Sequence, residues 1–106
     1  MDSQHDVADT KQLEPLVSLF RLLSDKTRMQ ILVILARGER NVGSLCGELG
    51  LPQPTVSHHL GLLRSKSLIL SRRNGKQVFY ALDDRVAVNP VGQMNIQIDS
   101  RSISIA

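Results

Sequence analysis

The sequence predicts a mainly α-helical domain of the α+β class that ends in a β-hairpin and works as a dimer. Apolar residues recur at helical spacing through the N-terminal half of the chain. The dipeptide Asn74-Gly75 separates two short segments rich in branched and aromatic residues, which is the strongest short hairpin pattern. The 106 residues suffice for one domain, but a core of this size gains stability from association with a second copy.

Composition and charge limit the class of protein. The chain has 42% hydrophobic and 22% charged residues, no apolar run near the ~20 residues of a membrane helix, and an acidic N-terminus unlike a secretory signal. We therefore expect a cytoplasmic protein with no membrane partner. Although the net charge is only +3, every charged residue from Leu49 to Leu82 is basic. Such a local positive excess is typical of a surface that binds a polyanion.

The first helix is predicted from Lys11 to Leu23, after a flexible tail over residues 1–11 that lacks hydrophobic periodicity. Its seven apolar residues between Leu13 and Leu23 are more than one buried stripe requires. Part of this surface is therefore assigned to a homodimer. The residues assigned to dimerisation are Leu13, Leu16, Leu19 and Phe20.

Two shorter helices follow, with recognisable caps. Ser24 or Asp25 is expected to cap the second helix, and Gly38 is expected to end it. Asn41 is expected to cap the third helix, which ends at Gly50.

The segment from Gln53 to Arg64 is the main candidate for function. Val56, Leu60 and Leu63 recur at i, i+4 and i+7, so one helix face is fixed to the core. The other face carries polar side chains that can bind base edges and phosphates. A short helix, a glycine turn and a longer helix together predict a helix-turn-helix. The residues assigned to DNA binding in this segment are Gln53, Pro54, Thr55, Ser57, His58, His59 and Arg64.

An ordinary solvated helix face is the alternative for these polar residues, but the helix-turn-helix order and the basic flanks favour DNA contact. Ser57 and His58 are the best candidates for base contacts. Thr55 is assigned either to capping or to a phosphate near the helix start. His59 either contacts DNA or turns toward the hairpin or the backbone.

The hairpin is predicted to have a type I′ turn at Asn74-Gly75, and it is interpreted as a wing. In that register Arg73 lies opposite Lys76. Because facing like charges cost stability, we expect this tip to meet phosphates. The wing residues assigned to DNA binding are Arg72, Arg73 and Lys76.

The DNA-binding domain is predicted to span residues 12–83, and residues 84–106 differ from it in character. Isoleucines and a methionine alternate there with polar residues, as in a strand or in a hairpin that turns near residues 99–101. Two interpretations are left open. The segment either forms β-structure, which can extend a partner's sheet edge, or is a disordered tail.

Three segments together resemble the ArsR/SmtB family of winged helix-turn-helix repressors: Leu19 to Leu32, Gln53 to Leu60, and the wing from Arg72 to Lys76. The similarity covers roughly residues 13–82 in the expected order. The resemblance implies a homodimer that binds a palindromic operator in double-stranded DNA. It also implies a repressor that a ligand or a redox event releases.

Two departures from the family pattern concern sensing. Metal sensors of that family carry a Cys-Val-Cys sequence where this chain has Asn41-Val42-Gly43, and the usual C-terminal helix, which can hold zinc, is not visible. We therefore expect no metal and no cofactor, and the small-molecule or redox effector is left open. The single cysteine, Cys46, lies on the apolar face of the third helix. It is interpreted as a core thiol in preference to a redox sensor.

The preferred function is thus a dimeric, sequence-specific, DNA-binding transcriptional regulator, of the repressor type. The alternative is a winged-helix module for protein interaction, since a fold does not dictate its function. We do not expect an enzyme, because no paired carboxylates, nucleophile–base set or phosphate-binding glycine loop converges in the sequence.

Overall fold

A computed structural model describes residues 3–98 and 101–105 of the protein. The first seven elements are α1 Ser3–Leu23, α2 Lys26–Ala36, β1 Arg40–Asn41, α3 Val42–Leu49, α4 Gln53–Ser65, β2 Ile69–Asn74 and β3 Gln77–Leu82. Three further strands follow: β4 Val86–Val88, β5 Met94–Ile98 and β6 Arg101–Ile105. The predicted class, mainly helical with a hairpin wing, is confirmed. Among the residues described, no helix is long and apolar enough to cross a membrane.

The helix ends follow the capping residues. Asp25 caps α2, since its Oδ1 accepts the backbone N–H of Arg28 at 3.1 Å. Asn41 caps α3, with its Oδ1 accepting a backbone N–H at 2.8 Å. Gly50 ends α3 at φ 66°, a conformation that glycine adopts without strain. α3, this turn and α4 form the predicted helix-turn-helix.

One hydrophobic core joins the helices to both sheets. α4 contributes Val56, Leu60 and Leu63, each at most 1% exposed, and this fixes which face of the helix is turned outward. The remaining buried residues are Leu19, Leu22, Leu23, Ile31, Leu32, Leu35, Leu45, Leu68, Ile69, Val86, Met94 and Ile96.

The wing belongs to a three-stranded antiparallel sheet in the order β1-β3-β2. β1 pairs with the base of the wing through Arg40 opposite Tyr80, so the hairpin is anchored directly before α3. The predicted register is wrong by two residues. Arg73 lies opposite Val78, and Asn74 lies opposite Gln77.

The turn of the wing therefore consists of Gly75 and Lys76, and only Gly75 has positive φ, at 65°. The predicted type I′ turn at Asn74-Gly75 would need positive φ at Asn74 as well. A shift of two residues keeps every side chain on its own face of the sheet, so hydrophobic alternation does not distinguish the two registers. The observed register separates Arg73 from Lys76, and the like-charge argument for phosphate contact at the tip is lost.

The N-terminal helix begins at Ser3, not near Lys11. Most of the predicted tail is thus helical, because extending an existing helix costs far less than starting one, even for polar residues. Pro15 lies inside α1 and lacks the N–H that would bond to the carbonyl four residues earlier.

The C-terminal segment forms an antiparallel sheet in the order β4-β5-β6. β5 and β6 pair antiparallel, with Ile96 opposite Ile103, whereas residues 99–100, in the segment where a turn is predicted, lie outside the described residues. Val86, Met94 and Ile96 belong to the same buried cluster as the helices. The folded unit therefore extends beyond the boundary predicted at residue 83.

Candidate nucleic-acid interface

The outward face of α4 carries exposed polar side chains near its start, namely those of Gln53, Thr55, Ser57 and His58. Pro52 is the N-cap of α4 and provides no side-chain hydrogen bond. The N–H of Thr55 bonds to the carbonyl of Pro52 at 3.1 Å, so Thr55 lies inside the helix and is not its cap. Of the two roles considered for Thr55, a phosphate contact is the one compatible with this position.

A concavity of about 390 Å³ separates the start of α4 from the wing. Gln53 and Ser57 line it from α4, and on the wing Lys76 lines it from the turn and Gln77 from the start of β3. The structure therefore brings residues of the helix and the wing onto one surface. Its other lining residues are Asn41, Val42, Gly43, Val78 and Tyr80.

A hydrogen bond ties the wing to the start of α3 at this concavity. Nδ2 of Asn41 donates to Oε1 of Gln77 at 2.9 Å. Asn41 was predicted only as a cap, and Gln77 was not assigned a role. Their contact spans 36 positions in the chain, and no local sequence pattern indicates it.

Arg72 is not a free cation of the wing. Its guanidinium forms a hydrogen-bonded ion pair with Glu39 and lies 5.2 Å from the ring centroid of Phe79, a distance suited to a cation–π contact. The hydrogen bond to Glu39 raises the pKa of Arg72 above its ordinary value. Glu39 precedes the basic segment 49–82 in the sequence, but the fold brings its carboxylate to the wing. A phosphate must therefore compete with Glu39 for Arg72.

The other assigned cations are exposed and lie at two ends of the surface. Arg73 and Lys76 are on the wing, and Arg64 is in the last turn of α4. At a rise of 1.5 Å per residue, Arg64 lies about 16 Å along the helix axis from Gln53. None of the three takes part in an ion pair within the described part of the chain. Each can approach a phosphate without first breaking an internal pair.

His59 turns inward, away from the exposed face of α4. It is half-buried, and its Nδ1 lies 3.3 Å from an Nη atom of Arg28 in α2. A guanidinium only donates hydrogen bonds, so in this contact Nδ1 of His59 can act only as the acceptor. The assignment of His59 to DNA contact is therefore corrected, since its side chain is engaged by α2.

The apolar face of α1 differs from the predicted dimerisation set. Leu19 is 1% exposed and belongs to the core, so its assignment to a dimer contact is wrong; Leu16 is half-buried. Leu13, Val17 and Phe20 are 43%, 44% and 48% exposed and follow each other at i, i+4 and i+7. Val17 is absent from the predicted dimerisation set, although helical spacing alone places it on the side of α1 opposite Leu19.

The candidate sensing residue Cys46 is a free, half-buried thiol that packs against the core. The described residues contain no group of three or more His, Cys, Asp or Glu side chains that could hold a metal ion.

Comparison with known proteins identifies the family. Residues 25–69 match the family described as bacterial regulatory protein, arsR family. The biofilm growth-associated repressor of Xylella fastidiosa is 36% identical over 84 residues, which cover 79% of this chain and 74% of the repressor. The chain belongs to the arsR family. The HTH-type transcriptional regulator KmtR of Mycobacterium tuberculosis is 41% identical to this arsR-family chain over 83 residues, which cover 78% of this chain and 64% of KmtR.

A solved structure supports the fold of this arsR-family chain. The homodimeric winged helix-turn-helix DNA-binding domain Mb0332 from Mycobacterium bovis superposes with a TM-score of 0.64 at 32% identity, covering 69% of this chain and 68% of that domain. The predicted winged helix-turn-helix and the family resemblance are confirmed. The chain is a DNA-binding transcriptional regulator of this family, and the alternative of a pure protein-interaction module is not favoured.

Proposed function

We propose that this arsR-family protein is a homodimeric repressor that binds a palindromic operator in double-stranded DNA, in the cytoplasm. The observation that carries the proposal is the shared concavity between the start of α4 and the wing. A rigid helix with short polar side chains fits the major groove. A basic wing beside it suits the flanking phosphates.

The residues divide into two roles. Gln53, Ser57 and His58 face outward from α4 and are proposed to contact base edges, which provides specificity. The proposed phosphate contacts are Thr55, Arg64, Arg73 and Lys76, whereas Arg72 contributes less because Glu39 holds it. Pro54 is in the first turn of α4, where its fixed φ suits a helix start.

A homodimer fits both the sequence and the surface. The exposed stripe of Leu13, Val17 and Phe20 on α1 offers an apolar face to a second copy. Two α4 helices related by a two-fold axis enter successive major grooves about 34 Å apart. The proposed operator is palindromic for this reason.

The input that releases the repressor is proposed to be a small molecule or a redox signal. The start of α3 is Asn41-Val42-Gly43 and offers no thiolate to a metal. Cys46 is the one thiol of the chain, and Cys46→Ser tests the redox alternative. If operator release by an oxidant persists in Cys46→Ser, Cys46 is excluded as the redox sensor.

The test of DNA recognition compares a duplex selected from a random pool by the purified protein with an unselected duplex, over a range of salt concentrations. Ser57→Ala or His58→Ala should weaken binding to the selected duplex by about 1–3 kcal/mol and leave unselected DNA little changed. Arg73→Ala or Lys76→Ala should weaken both and lower the salt slope by about one unit each.

Arg85→Ala is the matched control, since this exposed arginine lies beside Pro15 and Lys66, away from the concavity. We expect it to leave the salt slope unchanged. An unaltered slope in both Arg73→Ala and Lys76→Ala would remove the wing from the interface. Equal, salt-independent binding of the two duplexes would overturn the proposed function.

A further inference from the structure

Arg28 lies where α1, α2 and α4 meet. Its Nε donates to the carbonyl of Leu22, in the last turn of α1, at 2.6 Å. One of its Nη atoms lies 3.3 Å from Nδ1 of His59 in α4 and 4.0 Å from a carboxylate oxygen of Asp25. The Arg28 side chain is only 15% exposed. One guanidinium thus joins the end of α1 to the middle of the helix proposed to read DNA.

An arginine suits this position for a geometric reason. The guanidinium is a rigid planar fork whose donors point in different directions, so it can bind a carbonyl on one side and an imidazole on the other. A lysine ammonium at the same place is a single point charge on a flexible stem. Its three donors share one nitrogen, so it cannot hold the two acceptors apart at a fixed separation as the guanidinium does.

We propose that Arg28 is a positioning residue for DNA reading, and that it holds α4 against the end of α1 only while His59 is neutral. This inference rests on the proposed function, because the output it controls is operator recognition. His59 follows His58 directly in α4, so a change in its contact alters the orientation of a proposed base-reading side chain. Leu22 is in the same helix as the exposed apolar stripe, and Arg28 therefore also links DNA reading to the proposed dimer helix.

Protonation of His59 removes the acceptor that Arg28 uses. Among the described residues, the guanidinium of Arg28 contacts the His59 imidazole, the Asp25 carboxylate interacts with it electrostatically, and the His58 ring is 5.8 Å away between centroids. An imidazolium has no lone pair and meets a second cation at 3.3 Å. Asp25 offsets part of this repulsion but already accepts the Arg28 N–H. The contact is therefore lost on protonation.

The first experiment measures the ratio of affinities for selected and unselected duplex from about pH 8 to about pH 5.5, where imidazoles generally titrate. In the wild type the ratio should fall about tenfold toward low pH, which corresponds to the loss of one coupled contact. In His59→Gln, whose amide oxygen can accept from Arg28 without titrating, the ratio should remain flat. Arg28→Lys should have a low ratio throughout.

His58→Gln is the matched control for this experiment. It removes the neighbouring imidazole and should lower the affinity for the selected duplex at every pH, while the fall of the ratio toward low pH is retained. A fall that persists in His59→Gln would overturn the proposal, because that variant has no imidazole at position 59 to protonate. If Arg28→Lys does not fold, the two glutamine variants still decide the question.

The second experiment needs no DNA, so it separates failure of this inference from failure of the proposed function. Thermal unfolding of the wild type, Arg28→Lys, His59→Ala and the double variant forms a double-mutant cycle. The two changes should be non-additive by about 4 °C near pH 8, as expected for one hydrogen bond in a domain of this size, and additive near pH 5.5. Additivity at both pH values would show that the two side chains are not coupled and would overturn the proposal.

Discussion

At the N-terminus of α2, the carboxylate of Asp25 accepts the N–H of Arg28 at 3.1 Å. This hydrogen bond lowers the pKa of Asp25 below its ordinary value, and the charge of Arg28 adds to the effect. Because the folded-state pKa is below the unfolded one, the contribution of Asp25 to stability is fully present above the ordinary range of an aspartate, about pH 4. It is lost as the pH falls through the lower, folded-state value.

We therefore expect Asp25→Ala to lower the free energy of unfolding by about 1 kcal/mol near neutral pH, the usual effect of removing an N-cap. The difference from the wild type should shrink as the pH falls through the lowered folded-state pKa of Asp25, because the carboxyl is then protonated in both states. Urea unfolding at neutral pH and at a series of acidic pH values measures it. Asp25→Asn keeps a capping oxygen and should retain most of the stability; a loss in Asp25→Ala that is independent of pH would contradict the role of the charge.

Single side chains also show where local patterns stop being informative. The polar residues of α4 are adjacent in sequence, yet His58 is exposed whereas His59 is half-buried against Arg28. Helical geometry turns successive residues by about 100°, so neighbours take different surroundings. The surroundings of His59 depend on α2, because its partner Arg28 lies 31 positions earlier in the chain.

At the scale of elements, two glycines with open surroundings have opposite roles. Gly47 lies inside α3, and Gly75 is in the turn of the wing at φ 65°. A Cβ atom added at either one meets no heavy atom within 4 Å beyond its chain neighbours and, for Gly47, the adjacent backbone of its own helix. Differences between alanine substitutions at these positions therefore report on the backbone, not on packing.

Gly47→Ala should raise the free energy of unfolding by about 0.5–1 kcal/mol, because alanine has less backbone entropy to lose in a helix. Gly75→Ala should lower it by about 1 kcal/mol, since an L-residue at positive φ is strained. Thermal unfolding of both variants checks the pair. A stabilised Gly75→Ala would indicate that the turn adopts another conformation in solution.

At the scale of the whole molecule, the exposed stripe on α1 decides how two copies associate. Phe20 and Val17 are 48% and 44% exposed, whereas Leu19 on the opposite side is 1% exposed. The first two are available to a partner, and Leu19 is held in the core of its own subunit. A charge on the stripe and a truncation in the core should therefore have different consequences.

Phe20→Glu should give a folded monomer in analytical ultracentrifugation, because a charge at an apolar interface is costly to desolvate. It should also bind the selected duplex more weakly, since one half-site is then bound alone. Leu19→Ala should instead destabilise the fold by about 2–5 kcal/mol. Val91→Glu is the control, because Val91 is an exposed loop residue at 81%. A dimeric Phe20→Glu would place the contact on another surface.

The sequence by itself determined the local features. Hydrophobic periodicity predicted α4 and the face it buries, and the caps at Asp25, Asn41 and Gly50 predicted helix ends that the structure has. The family resemblance and the basic character of residues 49–82 were also visible. The helix faces and caps depend on residues within one or two turns of each other, so a linear pattern contains them.

Only the tertiary structure decided which distant residues meet. The partner of Arg72 is Glu39, the partner of His59 is Arg28, and a shift of two residues moved Arg73 away from Lys76. The chain alone left open whether residues 84–106 pack, and the structure places part of them in the core. Each outcome depends on side-chain directions that are fixed when the core closes, since several pairings satisfy the same local hydrophobic pattern.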